Sequence, residues 1–322
     1  MLEHKPISLN AIKKARQVIA KTAIRTPLIP LFLDNSPIEI YLKLENLQPV
    51  GSFKMRGAGN AMLSIDKQQL TQGVWTVSAG NMAQAVAWYA QYLHIPCNVI
   101  VPDDTPSVKL TAIQRLDAQI LKVPFSNYQT IQREHRFPGM KGLLIHPFAD
   151  DVVMAGNGTI GLEILEDLPE VDAVIVPYGG GGLSCGIASA IKASSPQVKI
   201  YAAEVATAAP LAASLVAGAP VEVSFSPSFV SGIGAPFIFP EMWRLASRLL
   251  DNSLVVELEQ VVSAIRLLAN SHHIITEGAG AVALAVALNC SVKAKKIVCI
   301  VSGGNLDTKT LINILNGDQV LT

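Results

Sequence analysis

The first residue in this sequence whose surroundings could make it reactive is Lys54, in the segment QPVGSFKMRGA. An amine set among apolar and glycine residues loses solvation, so its pKa falls and it can serve as nucleophile and base. Taken alone, the same lysine would also fit a solvated surface position. The second candidate is Tyr178 to Leu183, YGGGGL. Its four glycines, Gly179, Gly180, Gly181 and Gly182, cost backbone entropy and are kept where φ is positive or a ligand approaches the chain closely. Successive amides aimed from a helix start make an anion cradle, whereas a simple tight turn needs only one or two glycines. The pattern matches neither GxGxxG nor the P-loop, which disfavours dinucleotide and nucleoside triphosphate sites.

Two further segments carry small polar residues where a strand gives way to a turn. Ser78 to Met82 (Ser78, Ala79, Gly80, Asn81, Met82) offers exposed amides and the Asn81 carboxamide to a carboxylate or a phenolic oxygen, or is an ordinary helix cap. Val301 to Asp307, VSGGNLD, holds Ser302 and reads equally as a turn with a capping aspartate. The cysteines, Cys97, Cys185, Cys290 and Cys299, form no CxxC pair and have no histidine at zinc-ligand spacing, so they are expected as small core residues and no metal is expected.

The elements that must position these residues follow from periodicity. Short apolar runs at Ile38 to Leu44, Val74 to Val77, Cys97 to Val101, Ile120 to Val123, Val171 to Val176, Lys199 to Val205 and Lys296 to Val301 predict strands. Helical spacing at Asn60 to Ile65, Met82 to Leu93, Ser107 to Leu116, Leu183 to Ala193, Glu257 to Asn270 and Gly278 to Leu288 predicts the crossovers, while Ser126 to Lys141 reads as irregular and Lys54 falls in a loop. This order is α/β and predicts two three-layer α/β/α lobes with mostly parallel sheets. The larger comprises residues 1–72 and 148–322, and the smaller, residues 73–147, is inserted into it. A ligand is expected in the cleft between them, where strand C-termini end in glycine-rich loops.

Composition narrows the partners. Twenty-five basic residues balance 25 acidic ones, which removes the electrostatic footprint that nucleic acid or an anionic membrane would need. No apolar run is long enough for a bilayer and the first residues do not resemble a secretory signal, so a cytoplasmic protein is expected. With 50% apolar and 16% charged residues, some apolar surface is expected to be covered by a second subunit in a homodimer.

Together the four segments resemble pyridoxal-phosphate enzymes of fold type II, the tryptophan-synthase-β superfamily, and within it the serine/threonine dehydratase and serine racemase branch. The resemblance spans nearly the whole chain, including AGNGTIGLEI from Ala155. It implies a pyridoxal 5'-phosphate cofactor held covalently at Lys54, with Phe53 against the ring, Gly179 to Gly182 on the phosphate and Ser302 opposite the pyridine nitrogen. Asn81 would reach the phenolic oxygen, Glu277 would lie near the ring, and Ser78 to Met82 would hold the substrate carboxylate. The implied activity is dehydration and deamination of an L-β-hydroxy amino acid to a 2-oxo acid, with another β-elimination or β-replacement, or racemisation, as alternatives. A catalytically silent amino-acid-binding protein on the same fold is the bland alternative.

Three departures from the branch matter. Its frequent SSGNH is here SAGNM, so Ala79 and Met82 replace a serine and a histidine, and the hydroxyl that serves racemases as second acid/base is missing. Glu204 matches one ligand of a cation site seen in some members, but Pro210 stands where the second acid would be. The sequence runs only to Thr322, soon after Asp307, so the regulatory domain of feedback-inhibited threonine dehydratases is not expected.

Overall fold

A computed structural model describes residues 5–33, 37–318 and 320 of the 322. From the N-terminus the chain forms α1 (Leu9–Ile19), β1 (Leu28–Leu31), β2 (Glu39–Leu44), α2 (Lys54–Leu63), β3 (Val74–Val77), α3 (Asn81–Leu93), β4 (Cys97–Pro102), α4 (Ser107–Gln114), β5 (Gln119–Val123) and α5 (Phe125–Glu134). Then come β6 (Leu143–Leu144), α6 (Asp151–Asp167), β7 (Ala173–Pro177), α7 (Gly182–Ser194), β8 (Lys199–Val205) and α8 (Pro210–Ala217). The last elements are α9 (Pro240–Leu249), β9 (Asn252–Val256), α10 (Leu258–His272), α11 (Gly278–Asn289), β10 (Lys296–Val301) and α12 (Thr308–Asn316).

Six strands make one sheet in the order β1-β2-β10-β7-β8-β9, and four make another in the order β5-β4-β3-β6. All neighbours pair in parallel except β1 with β2. Parallel strands covered on both faces must be apolar on both faces, and β10 shows how that works. Val298 and Ile300 enter a cluster with α1, α6, α7 and α9, while Ile297, Cys299 and Val301 enter a second cluster with α10 and α11. Each such side chain removed from water contributes roughly 1.5–3 kcal/mol. Helix α11 is buried over its first ten residues, as its Ala- and Gly-rich composition predicts.

The AGNGTIG segment on α6 has a packing reason. A Cβ on Gly156 would come within 2.3 Å of the Arg56 carbonyl oxygen, and one on Gly158 within 2.8 Å of that of Gly186. Helix α6 therefore lies backbone to backbone against both α2 and α7.

The structure differs from expectation in three places. Lys54 opens helix α2 instead of lying in a loop, because Ser52 and Phe53 just before it are already tied to Gly303 and Ser302. Residues 125–134 form α5, whose apolar residues Phe125, Tyr128 and Ile131 recur at spacing three among polar ones; only Ile131 is buried, so the period is weak. The core on one face of the four-stranded sheet takes Met55, Ala58 and Met62 from α2 and Val153 from α6, so packing crosses residues 73 and 147 where the sheet does not. Among the described residues no helix is long and apolar enough to cross a membrane.

Candidate active site

The segment before α2 is fixed to the end of β10. Ser52 bridges to Gly303, and the Phe53 amide donates to the Ser302 carbonyl at 3.0 Å. Gly51 has φ +74, and a Cβ there would stand 2.8 Å from Asn305 Oδ1. Lys54 thus enters the cleft between the sheets, with Nζ donating to the Pro147 carbonyl at 2.5 Å and lying 4.9 Å from the Phe53 ring centre. Among the described residues no carboxylate pairs with it. Burial pulls its pKa down to about 8, and the more distant Glu277 offsets this only in part.

Two residues on, Arg56 is treated in the opposite way. Its guanidinium reaches both oxygens of Glu45 at 2.8 Å and both of Glu163 at 2.7 and 2.9 Å, and it also donates to Thr159. Lys43 closes the group, 2.6 Å from Glu163. Burial opposes the Arg56 charge, but the two carboxylates hold its pKa above the ordinary guanidinium value. This network ties α2 to β2 and α6, and so fixes where Lys54 begins.

From the four-stranded sheet, β3 delivers the Ser78–Asn81 turn to the same cleft. Ser78, Ala79, Gly80 and Asn81 are all half-buried. Asn81 donates to Glu277 Oε1 at 2.7 Å and accepts from Asn305 at 2.8 Å. Its other amide hydrogen and the backbone amides of Asn81, Met82 and Ala83 donate to no protein acceptor among the described residues. The Met82 side chain is 1% exposed in the core of the four-stranded sheet, so the expectation that it touches substrate is corrected to its amide alone. Glu277 immediately precedes α11 without capping it through its side chain, and burial pushes its carboxyl up to about 7 against the Asn81 hydrogen bond and the charges of Lys109 and Lys54.

The glycine loop follows β7. Gly181 has φ +86 and precedes α7, a conformation only glycine adopts without strain. The reason for Gly180 and Gly182 is the protein itself: a Cβ on Gly180 would overlap the Phe148 ring at 2.3 Å, and one on Gly182 would meet the Phe148 carbonyl at 2.7 Å. At Gly179 a Cβ would meet only ordinary contacts. The expectation that all four serve φ or a ligand is therefore too broad. The amides of Gly179 to Ser184 donate to no protein acceptor among the described residues, which leaves a row of N–H groups at a helix N-terminus.

Ser302 directly follows β10 and is 3% exposed. Glu204 lies elsewhere: its carboxylate accepts from the Leu211 and Ala212 amides at 3.0 and 2.8 Å and from Ser253 at 2.6 Å, which caps α8 behind Pro210. Among the described residues no cluster of three or more His, Cys, Asp or Glu could hold a metal ion. Cys97, Cys185 and Cys299 are buried, while Cys290 is only half-buried. Sequence reasoning missed Pro147, Phe148, Asn305 and the Arg56 network. Arg56 and Gln48 stand in the same motif as Lys54, which was the available signal.

The sequence pattern of the family described as "Pyridoxal-phosphate dependent enzyme" matches residues 19–303. An L-threonine ammonia-lyase of Geobacter sulfurreducens is 40% identical over 305 residues, 93% of this chain and 76% of that protein. One of Thermotoga maritima is 37% identical over 316 residues, 96% and 78% of the two chains. The solved structure of maize serine racemase superimposes with a TM-score of 0.87 at 32% identity, covering 97% of this chain and 98% of the other. The residues present fit pyridoxal 5'-phosphate: an amine of lowered basicity, with no carboxylate partner among the described residues, for its aldehyde, and free amides with a positive-φ glycine for its phosphate.

Proposed function

The chain belongs to the pyridoxal-phosphate dependent enzyme family, and on that premise we propose that it removes water and then ammonia from an L-β-hydroxy amino acid, threonine or serine, leaving a 2-oxo acid. The cofactor supplies an electron sink for the negative charge that develops at the substrate Cα. Everything else is the work of this chain's residues. The amides of Gly179 to Ser184 would hold the cofactor's phosphate, and Lys54 would hold its aldehyde carbon. Lys54 Nζ would also be the base that takes the proton from the substrate Cα. The free amides at the start of α3, with Asn81, hold the substrate carboxylate. Ser302 would meet the ring nitrogen with a neutral hydroxyl, which could not stabilise a proton there as a carboxylate would. Charge is then less fully delocalised, and prompt loss of the β-hydroxyl is favoured.

The observation that carries this reading is Lys54: an amine with one carbonyl partner, placed between two loops of unpaired amides. The test is a panel of L-β-hydroxy amino acids assayed for 2-oxo acid and ammonia. Release from threonine or serine is expected, and turnover only with a different leaving group would overturn the choice of reaction. The similarity to a serine racemase favours racemisation as a second reading, but Ala79 offers a methyl group where a second proton carrier is needed. L-serine incubated with enzyme in heavy water should therefore be recovered without substantial D-serine. The same reading makes the protein a cytoplasmic homodimer, in keeping with exposed apolar residues such as Phe32 (78%) and Val216 (92%). A monomeric sedimentation mass would overturn that part.

A further inference from the structure

A second lysine faces this cleft and has no part in the chemistry above. Lys109 lies on α4, which packs against the four-stranded sheet through Ile113 and Leu110. Its Nζ crosses to the other side and donates to Ser231 Oγ at 3.1 Å. Ser231 opens the segment SGIG, which runs along the mouth of the site. A Cβ on Gly232 would stand 3.4 Å from Glu277 Oε1, and one on Gly179 would stand 3.5 Å from the Gly232 carbonyl. Two contacts from the four-stranded sheet, Asn81 on Glu277 and Lys109 on Ser231, therefore converge on neighbouring points of the opposite wall.

We propose that Lys109 is a positioning residue whose charge, delivered across the cleft, favours the ionised form of Glu277 and thereby helps hold Asn81 and the carboxylate-binding turn in place. A hydroxyl partner orients an ammonium without neutralising it, so the Lys109 charge remains available to Glu277. Lys109 is held below its ordinary pKa by burial, with Glu277 acting in the opposite sense, as expected of a desolvated cation facing an anion. The charges that face Glu277 among the described residues are Lys109 from α4 and Lys54 from α2, with Lys109 the stronger influence. From α3 and the loop after β10 it meets Asn81 and Gly303, which are neutral. An ionised Glu277 accepts a charge-assisted hydrogen bond from Asn81; a protonated one holds it more weakly. As Lys54 becomes committed to cofactor, Lys109 is left as the cation that acts on Glu277.

The inference rests on reading the cleft as the cofactor site, and its test is separable from that reading. In holoenzyme labelled with 13C at the glutamate carboxyls, the Glu277 resonance is assigned by its loss in Glu277→Gln and titrated with pH. Cofactor content is counted independently by absorbance. A nearby positive charge favours the ionised form, so removing it must raise the titration midpoint. Lys109→Met should move the midpoint up by roughly one pH unit and move the acid limb of kcat/KM with it, while Lys109→Arg should restore both. Ser231→Ala, which keeps the charge and loses its orientation, should give a smaller shift in the same direction. A Glu277 midpoint in Lys109→Met equal to that of the unaltered protein would overturn the proposal. So would a midpoint that Lys109→Arg fails to restore, since a loss of packing alone would then account for both variants.

Discussion

Lys54 and Arg56 stand two residues apart on one helix, both are cations withdrawn from water, and the fold treats them oppositely. Arg56 has two carboxylates, both oxygens of each engaged, and its charge is secured. Lys54 has one backbone carbonyl, and its proton is held loosely enough that the pKa falls to about 8. A buried polar group that is fully satisfied holds structure, and one left short of partners is available to react. The backbone shows the same contrast. Amides inside β7 are paired along both neighbouring strands, and those of the loop that follows are not.

The largest test of this contrast is Lys54→Ala. The proposed reaction would lose both anchor and base, so turnover should fall by about four orders of magnitude or more, while the melting temperature of the apoprotein stays the same or rises. An apoprotein destabilised as much as Arg56→Ala would abolish the distinction. Arg56→Ala should do the reverse: it takes the guanidinium from two buried carboxylates, leaving Glu45 with no cation paired to it and Glu163 with Lys43 alone, and denaturant unfolding should show a loss of about 3–5 kcal/mol. If Arg56→Ala folds with undiminished stability, the network is not what holds α2. Gly181→Asp extends the comparison to the backbone. It places a Cβ at φ +86 and a negative charge beside the amides proposed to hold a phosphate, so equilibrium dialysis should show cofactor affinity weakened by about 2–3 kcal/mol with the fold retained. Undiminished affinity would make the loop only a turn.

The smallest effect is a pH dependence. The amine must be unprotonated to attack an aldehyde, so cofactor uptake by the apoprotein should rise about tenfold per pH unit below the Lys54 value of about 8 and level off above it. The same shift acts on stability. With the folded value below the 10.5 of a free lysine, the unfolded chain binds more protons between about 8 and 10.5. Apoprotein stability from this group therefore rises with pH across that window and is lowest beneath it. An uptake rate independent of pH between 6 and 9 would show that Lys54 is not the loosely held cation of the pair.

Much of this was legible along the chain. The VDAVIV and KIVCIV runs predict doubly covered strands, and strand-then-glycine at Val176 to Gly182 places a loop at a strand C-terminus, because alternation of period two and helical spacing are local properties. Residues 125–134 were misread because so few of the helix's side chains are buried that its polar positions dominate the pattern. Met82 reads as part of the candidate site from the polar segment it closes; helix geometry turns its side chain into the core while leaving its amide at the helix start.

The sequence by itself determined the alternating α/β order, the reactive lysine motif, the loop that must start a helix with a positive φ, and the absence of a hydroxyl at position 79. Those are properties of residue type and short spacing, which backbone sterics and burial translate directly. Only the tertiary structure decided which partners these groups meet. Lys54 reaches Pro147 across 93 residues and Asn81 reaches Glu277 across 196, and Gly180 is a glycine because Phe148 packs on it. Such pairings depend on strand order and on helices approaching backbone to backbone, and no local period records them. Whether a buried cation is secured or left reactive is a matter of what arrives from elsewhere in the chain, which is why Lys54 and Arg56 look alike in the sequence and differ in the fold.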